Sequence, residues 1–267
     1  MKLPFFGPKT PSKIPVVKLH GIIAARQGML SLESCTPALE RGFALAKKSK
    51  KLVLAIESPG GSPVQSDLIG QFIRRRATKD NIEVVAVIGE VGASGGYWLA
   101  CAADQIYANR LSIVGSIGVV TEGFGLADFI ARHGIERRSL TAGTHKRRND
   151  MFAPEQAEDV AWTKELLAQI HTMFKDWVRE RRGTRLAADE SQIFDGGFML
   201  GQQAKTLGLV DGFGDVEQIV KQLGNEKTKP VWIKEKSSRG LLVRLLRNFT
   251  NTALNVVEER LSWPTLR

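Results

Sequence analysis

The sequence predicts an α/β fold built on a mainly parallel sheet, and three observations predict it. Branched, apolar runs of strand length alternate with segments of helical periodicity, the pattern that crossovers between parallel strands produce. One run, "IEVVAVIG" at residues 82–89, is apolar at nearly every position, as a strand covered on both faces should be. Two successive strands end in glycine-rich turns, "IESPGGS" (56–62) and "GASGG" (92–96), where such a sheet presents loops to a ligand.

Taken in order, a Pro-rich leader (1–13) precedes "IPVVKLHGII", a strand rich in branched residues. A helix is expected from about Thr36 to Lys50, then a strand "KLVLAIES" stopped by Pro59. "PVQSDLIGQFIRRRATK" has helical periodicity, with Val64, Leu68, Phe72 and Ile73 on one side. After the strand at 82–89, "GYWLACAA" continues as a helix and "QIYANR" as a short strand. The long segment "PEQAEDVAWTKELLAQIHTMFKDWVRERR" reads as an amphipathic helix with Pro154 near its first turn. Its apolar stripe, Trp162, Leu166, Ile170, Phe174 and Val178, suits a core or an oligomer contact. "GLVDGFGDVEQIVKQLG" closes the domain, which spans 14–225. A C-terminal extension, 226–267, carries an amphipathic helix with Leu242, Leu245, Leu246, Phe249, Val256 and Val257 near one face.

Composition narrows the chemistry. Two cysteines, Cys35 and Cys101, make neither a disulfide framework nor a metal spacing, and His20, His133, His145 and His171 are scattered. No metal and no cofactor is expected. The net charge of +10 raises nucleic acid or an anionic membrane as partners. The basic groups, however, fall where helices are expected to end (Lys47 to Lys51, Arg74 to Arg76, Arg179 to Arg182), so solvated helix ends are the expectation, with no nucleic-acid partner. No run reaches the roughly 20 apolar residues of a membrane span, and the N-terminus does not read as a signal peptide. A cytoplasmic protein is expected; the basic, amphipathic C-terminal helix suits packing on its own domain or on a neighbouring subunit, with peripheral contact to the inner membrane as the alternative.

Ser94 stands among small residues at a strand-to-helix junction. That is the setting of a nucleophile elbow, where backbone approaches substrate closely, and also of a tight turn that merely packs well. A serine nucleophile needs a base and backbone donors for the developing oxyanion. Gly95, following the serine, offers one amide, and the loop holding Gly60 and Gly61 offers another.

The motifs "IESPGGS", "GASGGYWLA", "VGSIGVV" and "AGTHK", in this order, resemble the signal peptide peptidase A family of serine peptidases. The likeness runs from about Val16 to Leu223. It implies the crotonase- and Clp-protease-like fold of repeated ββα units, with Ser94 as nucleophile and Lys146 as general base. It also implies Ser116 as the residue orienting the lysine, and the amides of Gly61 (or Gly60) and Gly95 as oxyanion donors. Hydrophobic or signal-peptide-like peptides are the implied substrates, and a homo-oligomer the implied assembly. A lysine base must lose its proton near neutrality, which from about 10.4 costs roughly 4 kcal/mol and calls for burial. His145 departs from the aromatic residue common at its position and opens a Clp-like Ser–His alternative. A crotonase-like acyl-CoA enzyme or a non-catalytic peptide-binding scaffold would use the same loops without the serine's chemistry. Glu57 replaces the aspartate common before "SPGG" and reads as a strand-end residue.

Overall fold

The computed structural model describes residues 13–187 and 189–233. β1 (Lys13–His20) leads to α1 (Leu32–Ser49), which begins ahead of the expected Thr36. Ser31 and Ser34 cap it reciprocally, each hydroxyl accepting the other's amide at 3.2 and 2.9 Å. β2 (Lys51–Ser58) and α2 (Pro63–Asp80) follow, with Pro63 in the first turn and Ser62 as the cap. α2 buries Ser66, Ile69, Gly70, Ile73 and Ala77, while Val64 and Leu68 remain 66% and 40% exposed. The face expected on Val64 and Leu68 is therefore rotated. Small residues let α2 close on large rings: a Cβ at Gly70 would lie within 3.5 Å of Trp98 and 3.6 Å of Trp177.

β3 (Glu83–Ala93) runs into α3 (Gly95–Cys101), then β4 (Gln105–Ala108), β5 (Ile113–Gly115) and α4 (Ala127–Arg132). The long helix is α5 (Ala157–Arg182), followed by β6 (Phe198–Leu200), α6 (Gly201–Thr206), β7 (Gly212–Phe213), α7 (Val216–Leu223) and β8 (Lys229–Trp232). The strands form one sheet in the order β6-β5-β3-β2-β1-β8, with β4 and β7 branching from β3. Every pairing is parallel except β5 with β6. The expected mainly parallel α/β fold is thus the observed one. β8 pairs with β1 from Lys13↔Lys229 to Val16↔Trp232, so the sheet draws its last edge from residues read as the C-terminal extension. The amphipathic helix expected beyond Lys236 lies outside the described residues.

β3 changes neighbour along its length. Val85 to Ile88 pair with β4, whereas Val91 to Ala93 pair with β5. Against β2 the register jumps from Ile56↔Ile88 to Ser58↔Gly92, so extra β3 residues bulge at 89–91. The bulge aims the strand end at a new partner. Ser94 is the next residue.

The larger core lies where α1, α2, α3 and the C-terminal half of α5 cover one sheet face; Leu39, Phe43, Leu54, Ile69 and Val178 are wholly inaccessible there. Each such side chain contributes about 1.5–3 kcal/mol through burial. A smaller core under α7 holds Val16, Val53, Val85 and Ile219. Along α5 the expected stripe divides. Phe174 and Val178 are buried, Ile170 is half-buried, and Trp162 and Leu166 are exposed.

The expectation of solvated basic helix ends fails at the end of α5. Arg182 is 2% exposed; its guanidinium donates to both Asp211 carboxylate oxygens at 2.8 and 3.0 Å and its Nε–H to the Gly208 carbonyl. Arg181 donates to the carbonyls of Cys101 and Ala103, and Arg74 pairs with Asp104 at 2.8 Å. Arg74 and Arg181 thus complete the Cys101, Ala102 and Ala103 carbonyls at the end of α3, as Arg182 completes that of Gly208.

Candidate active site

Ser94 has φ 52° and ψ −123°, a left-handed conformation that a non-glycine residue adopts only when its surroundings hold it. Two hydrogen bonds do so: its amide donates to the Gly115 carbonyl at 2.8 Å, and its carbonyl accepts from Trp98 at 3.0 Å. α3 itself is buried at all seven positions. The Trp98 ring lies 4.7 Å from Phe174 and 6.4 Å from Trp177, whose indole N–H donates to the Trp98 carbonyl at 3.0 Å. The serine therefore projects from a turn anchored in the core. Among the described residues its hydroxyl has no hydrogen-bond partner.

The glycine loop after β2 lies against this turn. A Cβ at Gly60 (φ 103°) would come within 2.7 Å of the Gly95 amide nitrogen and of Ser94 Cβ. Only glycine permits that approach. The Gly60 carbonyl accepts from Ile23 at 2.8 Å, the Ser62 amide donates to Ile23, and the Gly60 amide donates to Ser58 Oγ at 3.2 Å. The amides of Gly61 and Gly95, by contrast, have no acceptor among the described residues. Of the two glycines proposed for the first oxyanion donor, Gly60 has its N–H engaged and Gly61 does not.

One cavity of about 640 Å³ is lined by Gly61, Ser94, Gly95 and Ser116 together. Ser116 also has a left-handed backbone (φ 52°), and its amide donates to Gly197 at 2.7 Å. Trp98, Val119, Val120, Ile170 and Phe174 supply apolar wall, while His171 and Asp195 supply polar wall. His171 and Asp195 were not singled out by sequence reasoning. His171 sits on the α5 stripe one position after Ile170, and the helical period could have placed it beside the Phe174 face. Its Nε2 lies 2.9 Å from the Ile117 carbonyl, so the donor is Nε2–H.

Lys146 is not brought to this cavity. It is exposed in a turn, its amide donating to the Gly143 carbonyl at 3.3 Å, and residues 131–146 are exposed throughout. Its basic neighbours face carboxylates. Arg147 pairs with Asp150, while Arg148 pairs with Glu158 at 2.9 Å and covers the Trp162 ring. His145 is exposed as well, with Nδ1 2.9 Å from Arg148, and is likewise absent from the cavity wall. Among the described residues no group of three or more His, Cys, Asp or Glu could hold a metal. No described helix is long and apolar enough to cross a membrane.

Comparison with known proteins places the chain in a family and supports its fold. A protein of Brucella abortus named Na(+)/H(+) antiporter NhaA is 43% identical over 239 residues, which is 88% of this chain and 32% of that protein. The probable protease SohB of Haemophilus influenzae is 27% identical over 213 residues, covering 80% of this chain and 59% of the relative. The chain thus spans about a third of the first relative and under two thirds of the second. Among solved structures, a mutant of the 1510-N membrane-bound stomatin-specific protease superposes with a TM-score of 0.54 at 14% identity, over 85% of this chain and 98% of that one, a likeness of fold. The family model of Peptidase family S49 matches residues 76–229, from the end of α2 through β3, the Ser94 turn and α5 to the start of β8. That is more than half of the sequence, and the chain belongs to Peptidase family S49, the signal peptide peptidase A family.

Proposed function

We propose that this chain is a serine endopeptidase working through a Ser94–Lys146 dyad and an acyl-enzyme. The observation that carries the reading is the elbow: Ser94 on a strained backbone lines one cavity with Gly61 and Gly95, and among the described residues its hydroxyl and their two amides have no hydrogen-bond partner. Ser94 Oγ attacks the scissile carbonyl and its proton passes to the neutral Lys146 amine. The two amides take the negative oxygen, and such a donor is worth about 10²–10³ in rate. Collapse breaks the C–N bond, and the leaving amine receives the proton from Lys146. A water deprotonated by the same amine then releases the acyl group and restores Ser94. The apolar wall of Trp98, Val119 and Phe174 suits an extended peptide with a hydrophobic side chain beside the cleaved bond, consistent with signal-peptide-like substrates.

The dyad requires the segment carrying Lys146 to move onto the cavity. That segment exposes the large apolar side chains of Val120, Phe124, Phe129, Ile135 and Leu140. Packing against further copies of this chain would cover these side chains and dry the lysine. The reading is therefore of a homo-oligomer whose assembly brings serine and lysine together.

Labelling with a fluorophosphonate tests the nucleophile. Wild-type protein is expected to gain one adduct on Ser94, and Ser94→Ala none; an adduct retained by Ser94→Ala would refute it. Lys146→Ala is expected to lose hydrolysis of a fluorogenic hydrophobic peptide at unchanged oligomer size. A second reading follows from His171, which lies on the cavity wall where Lys146 does not. If Lys146→Ala remains active and His171→Gln does not, the base is the histidine, as in a Ser–His peptidase.

A further inference from the structure

We infer that Glu57 is a positioning residue for the nucleophile: its carboxylate holds the β3 bulge whose far end carries Ser94. The inference rests on the reading of Ser94 as nucleophile. Where β3 leaves its register with β2, the amides of Glu90 and Val91 cannot find ladder partners. Glu57 at the end of β2 supplies both, with Glu90 N–H donating to Oε2 and Val91 N–H to Oε1, each at 3.0 Å. The Gly89 carbonyl on the same bulge accepts from the Ser112 hydroxyl. Gly89 leaves room for the carboxylate, because a Cβ there would collide with Glu57 Oε2.

The consequence for the site is geometric. Val91, Gly92 and Ala93 are the residues that turn from β4 to β5, pairing with Ile113, Val114 and Gly115, and the Gly115 carbonyl then takes the Ser94 amide. A fork of two acceptors on consecutive amides fixes where that turn begins. The same residue anchors the other half of the site: the Glu57 carbonyl accepts from Gly21 at 2.9 Å, and Ser58 Oγ, which takes the Gly60 amide, donates to the Gly21 carbonyl at 2.7 Å. Glu57 thus connects the serine turn and the Gly60–Gly61 loop through one strand end. A carboxylate suits the task because both its oxygens accept; an amide of the same shape would set its NH₂ against one of the two N–H donors.

The test is the rate of Ser94 labelling by a small fluorophosphonate, which needs neither a bound peptide nor its specificity. Glu57→Gln is expected to fold and to label about 10- to 100-fold more slowly, as misplacement of a reacting group implies. Glu57→Asp, which keeps two acceptor oxygens, is expected to recover rate relative to Glu57→Gln, with peptide KM little changed in either. Wild-type labelling in Glu57→Gln would overturn the inference while leaving Ser94 in place. An adduct that persists in Ser94→Ala would instead overturn the reading beneath it. Amide exchange in the wild-type protein gives a measure independent of any variant. Glu90 and Val91 are expected to be protected, and exchange of both at the rate of an unstructured chain would also overturn the inference.

Discussion

Gly60→Ala puts the close approach of the two glycine-rich turns under direct test. The new methyl would stand 2.7 Å from the Gly95 nitrogen, 2.7 Å from Ser94 Cβ and 3.0 Å from the Ala93 carbonyl oxygen. None of these is the movable end of a long side chain, so backbone must shift. Holding alanine at φ 103° adds about 1–2 kcal/mol, and forcing atoms into packed space adds about 1–3 kcal/mol. The sum, roughly 2–5 kcal/mol, is a large share of ordinary domain stability but less than all of it. The variant is expected to fold, with Tm lowered by roughly 5–15 °C. The groups displaced are those proposed as nucleophile and oxyanion donor, Ser94 and the Gly95 amide, so the fluorophosphonate rate is expected to fall about 100-fold. Gly123→Ala is the control, since its Cβ would meet nothing within 4 Å, and a change within about 0.5 kcal/mol is expected. Wild-type Tm and labelling rate in Gly60→Ala would refute the claim that the two turns touch.

Ser94→Gly is expected to be more stable than Ser94→Ala by about 1–2 kcal/mol in urea titration, since glycine relieves the left-handed strain; equal stabilities would mean that the turn is unstrained. Asp211→Ala is expected to cost about 3–5 kcal/mol by leaving the buried Arg182 guanidinium without its carboxylate, and a loss below 1 kcal/mol would place the pair in water. Burial opposes ionisation of Asp211, but the hydrogen bonds and charge of Arg182, the Ile106 amide and Arg185 outweigh it and hold the carboxyl below its ordinary value. Its contribution is therefore complete above pH about 4 and lost as pH falls further, toward its lower value in the fold. Acid titration of wild type against Asp211→Asn should show that slope only in the wild type. Burial pushes the Cys101 thiol up to about 12, so at pH 8 it is expected to ignore a maleimide until denaturant is added; prompt reaction would contradict its place in the core.

The strands and their glycine turns were readable in the sequence because each rests on local chemistry. Branched runs make β1, β2 and β3, and small residues at 58–62 and 92–96 mark the turns between strand and helix. The carboxylate of Glu57 was not legible as a support for the elbow, because a bulge is a mismatch between two strands and neither shows it alone. The face of α2 was legible at Phe72 and Ile73, which pack on the core, but not in its first turns. Val64 and Leu68 are the more apolar residues, but the face turned inward is the one whose Gly70 lies under the Trp98 and Trp177 rings and whose Ser66 lies against Gly95. Arg182 read as a solvated end because charge suggests water, and its partner Asp211 lies 29 positions away. His171 became visible only when α5 was laid along the cavity. The placement of Lys146 beside Ser94 is what the family resemblance implies, and the single chain does not bring them together.

The complete burial of α3 bears on how the protein opens and closes as much as on how it is built. With Tyr97 bonded to Leu209 and Trp98 stacked between α2 and α5, the elbow has no way to fray on its own. Its opening belongs to the most cooperative unit of the domain, so the energy held in the Ser94 backbone is released only when that whole unit unfolds. Residues 131–146 are exposed throughout and are tied to the chain beyond them chiefly by Arg137, which pairs with Asp150 and covers the Phe152 ring. On the proposed reading the nucleophile is thus a fixture of the folded chain, and any adjustment of the site falls to the exposed segment that carries Lys146.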